Sequence, residues 1–167
     1  MAGKFFEMIA HDILQRGGEF KVRELTGEIC IDDDECKKLN IPKLDYKQIC
    51  DIDEIDSLHY NVPKSQTFET VDALTPEYDG KLNYLYQMMI SETHQIKVNG
   101  LDKLKSKIKN GKPIFLFFVV PNIDSLIYNY TLQDFVTTGN KKYVGWENNG
   151  TSWIRDNVVQ YVLEIDL

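Results

Sequence analysis

The sequence predicts a single mixed α/β (α+β) domain with the core element order α, β, β, β, α, β and one mixed central sheet. Three observations predict it: an amphipathic helix opens the chain, short alternating strands occupy its middle, and IFLFFVV at 114–120 is apolar enough for a strand buried on both faces. The length of 167 residues suits one core, so the domain is 1–167, and 43% apolar residues is ordinary for a chain that buries one.

From Ala2 to Gln15, the side chains Phe5, Phe6, Ile9, Ile13 and Leu14 recur at the i, i+3, i+4 spacing of an amphipathic helix, which Gly17-Gly18 ends. Glu7 and His11 lie one turn apart at the edge of that stripe. Phe20, Val22 and Leu25 predict a first strand directly after the turn. The acidic stretch from Thr26 to about Ser57 has no sustained period and contains Pro42. It reads as a surface excursion carrying at most a short helix, an acidic insertion over 26–67 after the first strand.

A second strand is expected from Phe68 to Leu74, then the turn TPEYDG and a third strand from Lys81 to Ser91. Alternation in the third strand sends Tyr84, Tyr86 and Met88 to one face and Leu85, Gln87 and Met89 to the other. After Asn99-Gly100, the residues Leu101, Leu104 and Ile108 form the inner stripe of a lysine-rich helix that Asn110-Gly111 closes. Past the 114–120 strand come extra C-terminal elements: a helix from Asp124 to Tyr130, a polar loop, a short helix near Trp153 and a last strand in VVQYVLEIDL.

No stretch approaches the roughly 20 apolar residues that span a bilayer, so no membrane association is expected. Glu7, His11 and Asp12 break up the N-terminal apolar run, which therefore lacks the form of a signal peptide. Three cysteines, Cys30, Cys36 and Cys50, have neither CxxC nor CxxCH spacing and point to an intracellular, reducing compartment. The net charge is −7, which argues against a surface that coats nucleic acid along its whole extent. Most of the acidity belongs to one segment: ten acidic residues and four lysines lie between Glu28 and Asp56. Solvated surface is the plain reading of 28–56, and a protein partner of basic character the sharper one. A Walker glycine loop, a GxSxG elbow and an HExxH motif are all missing from the sequence.

Asp72 is the leading candidate for chemistry, since it ends a short strand and a tight turn brings Gln87 across from it. Magnesium or manganese takes hard oxygen ligands, so Asp72, the Gln87 amide oxygen and a main-chain carbonyl make a candidate metal site, with Glu7 adding a carboxylate from the first helix. The plainer reading of Asp72 is a solvated turn residue. His94 is a candidate acid, base or phosphate contact, or else a residue that orients its turn through hydrogen bonds. His11 reads as a helix-surface residue, and His59 has no evident partner. Lys103, Lys105 and Lys107 are candidate nucleic-acid contacts, although their spacing spreads them over both helix flanks, as on a solvated face. The aromatic residues Tyr84, Tyr86, Phe115, Phe117 and Phe118 read first as core and only second as stacking platforms.

The segments GKFFEMIAHDILQRGGEFKVREL, YNVPKSQTFETVDAL, YLYQMMISETHQIKVNGLDKL, IFLFFVVP and VVQYVLEI together resemble the C-terminal nuclease-like domain of Crinkler effectors and retrotransposon hot spot (RHS) proteins. The resemblance implies a restriction-endonuclease-like fold of the PD-(D/E)xK type, magnesium-dependent phosphodiester hydrolysis of DNA, and a nuclear site of action. It implies catalytic roles for Glu7 as the helix glutamate, Asp72 as the strand aspartate and Gln87 as the first residue of the (D/E/Q)xK motif. Met89 stands where the motif lysine belongs, and a thioether cannot stabilise an attacking hydroxide or a developing phosphorane charge. Lys97 and Lys4 are the nearest replacements in sequence. Two outcomes are therefore expected: a nuclease weakened by Met89, or an inactive module on the same fold that binds nucleic acid or protein. An acidic adaptor without a nucleic-acid role is a third.

Overall fold

The computed structural model describes residues 2–64, 71–75, 83–108 and 113–167. Helix α1 (Ala2–Arg16) forms as its periodicity predicts, but its stripe is centred one position further on. Phe6, Ala10 and Leu14 are buried, whereas Phe5 is 71% exposed. Glu7 and His11 thereby flank the buried stripe. Gly17 stops the helix with φ +73, and a Cβ there would lie 2.5 Å from the Ile41 carbonyl oxygen. Only glycine suits both the left-handed backbone and that close approach.

Strand β1 (Gly18–Glu24) follows at once. The segment expected as a surface excursion is instead built into the sheet, supplying β2 (Lys37–Ile41), β3 (Asp45–Ile49) and β4 (His59–Pro63), with short 3-10 turns at Asp33–Glu35 and Ile52–Glu54. The second and third expected strands appear as β5 (Ala73–Thr75) and β6 (Tyr84–Met88), both shorter than expected. Residues 68–70, the TPEYDG turn beyond Thr75, and the Asn110-Gly111 helix stop lie outside the described residues. The lysine-rich helix starts earlier than expected and is broken into α2 (Val98–Asp102) and α3 (Lys105–Ile108), with Leu101, Leu104 and Ile108 fully buried. Strand β8 (Ile114–Pro121), α4 (Leu126–Asn129), α5 (Ser152–Asn157) and β10 (Val158–Ile165) match their expected places. A two-stranded ribbon of β7 (Ile96–Lys97) and β9 (Phe135–Val136) was not expected.

The main sheet has eight strands in the order β2-β1-β10-β8-β6-β5-β4-β3. Strands β6, β8 and β10 run parallel at its centre, β4, β5 and β6 form an antiparallel run, and β1 closes antiparallel on β10. The first strand of the three-strand run is therefore β4, not the 20–25 strand, which sits on the far side of β10. Helix α1 packs on one face over Tyr60, Tyr84, Tyr86, Met88 and Phe117. The helices α2 to α5 cover the other face, over Leu74, Leu85, Leu116 and Phe118. Arg23, 1% exposed, ties β1 to α4 by donating from Nε to the Ile127 carbonyl (2.8 Å) and from Nη2 to the Tyr130 carbonyl (2.6 Å). Among the described residues, no helix is long and apolar enough to cross a membrane.

Candidate functional site

Asp72 sits where β5 and β6 part. The β5–β6 register pairs Ala73 with Tyr86, and the Asp72 N–H donates to the Tyr86 carbonyl at 2.8 Å. One residue further along β6, the Met88 N–H has lost its strand partner and donates instead to Asp72 Oδ2 at 2.8 Å. The carboxylate thus caps the ladder where the two strands diverge, a task that a short acidic side chain performs well. Burial pushes the Asp72 carboxyl up to about 7; the Met88 N–H opposes that rise, and the charge of Glu7 adds to it. Among the described residues, no lysine is a cause of that shift.

Glu7 reaches this region from α1 together with His11, expected on the helix surface, and Tyr60, which the sequence did not single out. His11 Nε2 lies 3.6 Å from Glu7 Oε1, and His11 Nδ1 is hydrogen-bonded to the Tyr60 hydroxyl at 2.7 Å. The latter contact corrects the reading of His11 as a surface residue. Burial lowers the His11 pKa, against the pull of Glu7. Tyr60 is 1% exposed; burial drives its pKa well up, and the charges of Asp72 and Glu7 are among the further causes. The i, i+4 spacing of Glu7 and His11 was visible in the sequence, but Tyr60 joins them through sheet pairing, which left no local signal.

Gln87 faces away from this group. It lies between Leu85 and Met89, which pack into the core on the α2–α5 side, while Tyr86 and Met88 face α1. Its Nε2 approaches Met89 Sδ at 3.8 Å, and its Oε1 is buried with no hydrogen-bond partner among the described residues. Glu7 and Gln87 therefore approach the sheet from opposite faces, with Asp72 capping Met88 between them. A magnesium-class ion needs oxygen ligands that converge in near-octahedral geometry. Among the described residues, no three His, Cys, Asp or Glu side chains come together as an ion site. The unsatisfied Gln87 oxygen is one donor that a cation could use, but the expected set of Glu7, Asp72 and Gln87 does not fit a single ion.

The other candidates lie elsewhere. His94 sets its ring edge-on to Phe118 with centroids 6.4 Å apart, and its backbone N–H donates to Gln133 Oε1 at 2.6 Å. Burial, and then the charge of Lys97, lowers its pKa. It lines an open cavity of about 490 Å³ with Thr93, Thr131, Gln133 and Asp134, and no contact links it to Asp72 among the described residues. Lys103 and Lys105 are exposed, whereas Lys107 donates to the Ile55 carbonyl at 3.1 Å and serves the fold. His59 does have a partner: its Nδ1 lies 2.8 Å from Asp56 Oδ1, in a cluster completed by Lys47 and Asn61.

Comparison with protein-family models, with curated proteins and with solved structures finds no match to this chain.

Proposed function

We propose that the chain is a nuclease-like domain of the Crinkler and hot-spot type whose hydrolytic centre is degenerate, and that it acts by binding nucleic acid, DNA first among the candidates. The antiparallel run β4-β5-β6, the crossover through α2 and α3 to the parallel strand β8, and the aspartate at the parting of β5 and β6 support the nuclease-like reading. One observation carries the loss of catalysis. Glu7 and Gln87 present their side chains on opposite faces of the sheet, so the ligand set that the resemblance implies does not converge. Met89 compounds this, because a thioether cannot take the role of the motif lysine and, among the described residues, no lysine is a cause of the Asp72 shift. Exposed Lys103 and Lys105 are the phosphate contacts of this reading.

The test is cleavage of plasmid and single-stranded DNA with magnesium or manganese, run beside binding over a salt series. No cleavage, with binding that weakens as salt rises, supports the proposal. Metal-dependent cleavage that Asp72→Ala abolishes would instead establish an active enzyme in which Asp72 holds the ion. Absence of binding to any nucleic acid at low salt would favour the acidic 28–56 segment and a protein partner.

A further inference from the structure

The sheet face that carries α1 also carries a row of rings. Tyr84, Phe115, Phe117 and Tyr161 stand on three adjacent central strands, brought together by the pairings Tyr84 to Phe115, Tyr86 to Phe117 and Phe117 to Tyr161. Their centroids lie 5.2 Å apart for Tyr84 and Phe117, 5.5 Å for Phe117 and Tyr161, and 5.8 Å for Phe115 and Tyr161. Phe117 and Tyr84 are buried, but Phe115 and Tyr161 keep part of their surface exposed. They line an apolar cavity of about 170 Å³ whose remaining walls are Val22, Leu39, Lys37 and Lys38. That volume is below the roughly 300–1,000 Å³ of sites for drug-sized ligands and suits a single planar ring system.

The lysines give the cavity its chemistry. Lys37 pairs in register with Val22, which puts it on the same face as the rings, and among the described residues it has no ion-pair partner. Lys38 approaches Glu19 at 3.4 Å, with both side chains well exposed, a pairing too solvated to hold it there. Glu24 accepts from the Tyr161 hydroxyl at 3.4 Å and orients that ring. Half-exposed aromatic rings beside a lysine such as Lys37 are the elements of a single-strand site, in which bases stack on rings and lysine meets a flanking phosphate. A duplex keeps its base faces covered and cannot use such a site.

The geometry points to a stacking platform for an unpaired nucleobase, with Phe115 and Tyr161 supplying the rings and Lys37 the phosphate contact. The assignment rests on the reading of the chain as a nucleic-acid-binding module and narrows its ligand to single-stranded nucleic acid.

The experiment measures anisotropy of short single-stranded and duplex DNA oligonucleotides with the full chain, a fluorescent adenine analogue serving as one base. The native protein quenches the analogue as it binds. Combined Phe115→Leu and Tyr161→Leu replacement keeps apolar bulk and removes both rings; it weakens single-strand binding about 5- to 100-fold and leaves duplex binding unchanged. Lys37→Glu is exposed and safe for folding; it weakens single-strand binding and flattens its salt dependence. Single-strand binding that leaves the analogue unquenched, or that is indifferent to Lys37→Glu and to loss of the rings in a folded variant, overturns the platform and leaves the binding module standing. A native chain that binds neither form at low salt overturns both.

Discussion

Replacing Asp72 by Asn has an effect on stability whose sign and size follow from the strand parting. The carboxyl is pushed up to about 7 in the folded chain, whereas an unfolded aspartate titrates near 4. A carboxyl whose folded pKa is raised binds its proton more tightly when folded. Its contribution is therefore intact below the unfolded value, declines as pH rises between the two values, and is lost above the folded value. The gap corresponds to about 4 kcal/mol at neutral pH and above. Asn does not titrate, yet its side-chain oxygen can still accept from the Met88 N–H. Asp72→Asn should thus equal the native chain near pH 4 and exceed it by about 4 kcal/mol near pH 8, or about 8–16 °C in Tm for a domain of this size. Denaturant unfolding of both proteins over that range, in EDTA, measures the difference. A difference that does not change with pH, or a native chain that gains on the variant as pH rises, would refute the assignment of a buried, uncompensated carboxyl.

Four further outcomes can be measured. Gly17→Ala should cost about 2 kcal/mol or more, because it combines a left-handed backbone with a Cβ driven against the main chain of Ile41, Pro42 and Lys43; thermal unfolding reports it. For Asp56, burial works to raise the pKa, but hydrogen bonds from Lys47, His59 and the Leu58 N–H outweigh it and hold the carboxyl well below its usual range. Its contribution is present above pH 4 or so and fades as pH falls further, so Asp56→Asn should cost about 1–2 kcal/mol near neutrality and less in acid. Lys103→Glu with Lys105→Glu should weaken DNA binding and reduce the slope of log affinity against log salt by about 2. Lys107→Met should instead lower stability, since its ammonium bonds the Ile55 carbonyl.

The parts of the fold that the sequence displayed are those whose burial is periodic. Helix α1, the uniformly apolar β8 and the terminal β10 announce themselves by spacing or by composition. Strands β2 and β3 do not, because they are the two edges of the sheet and each buries only its final isoleucine, Ile41 or Ile49. An edge strand studded with lysine and aspartate looks like a loop, and that composition also protects it from pairing with other chains. The first strand of the three-strand run, β4, escapes for another reason: it is a five-residue interior strand whose buried centre, Tyr60, Asn61 and Val62, includes a polar residue and shows no alternation.

At the candidate site, the strand alternation that puts Gln87 and Met89 on one face was legible. Which face α1 covers was not, since that depends on sheet order and not on any residue near Gln87. The disagreement between Glu7 and Gln87 consequently appears only in three dimensions. Likewise Tyr60 lies in a segment without periodicity, and its bond to His11 spans 49 positions of sequence.

The most direct test of the central claim is metal-dependent DNA cleavage by the native chain, by Asp72→Ala and by Met89→Lys, with binding followed in the same samples. The account predicts no cleavage by the native chain and none by Met89→Lys, because restoring the lysine does not bring Glu7 and Gln87 to one face, while salt-sensitive binding persists in all three. Cleavage by the native chain with magnesium or manganese that vanishes in Asp72→Ala would contradict it.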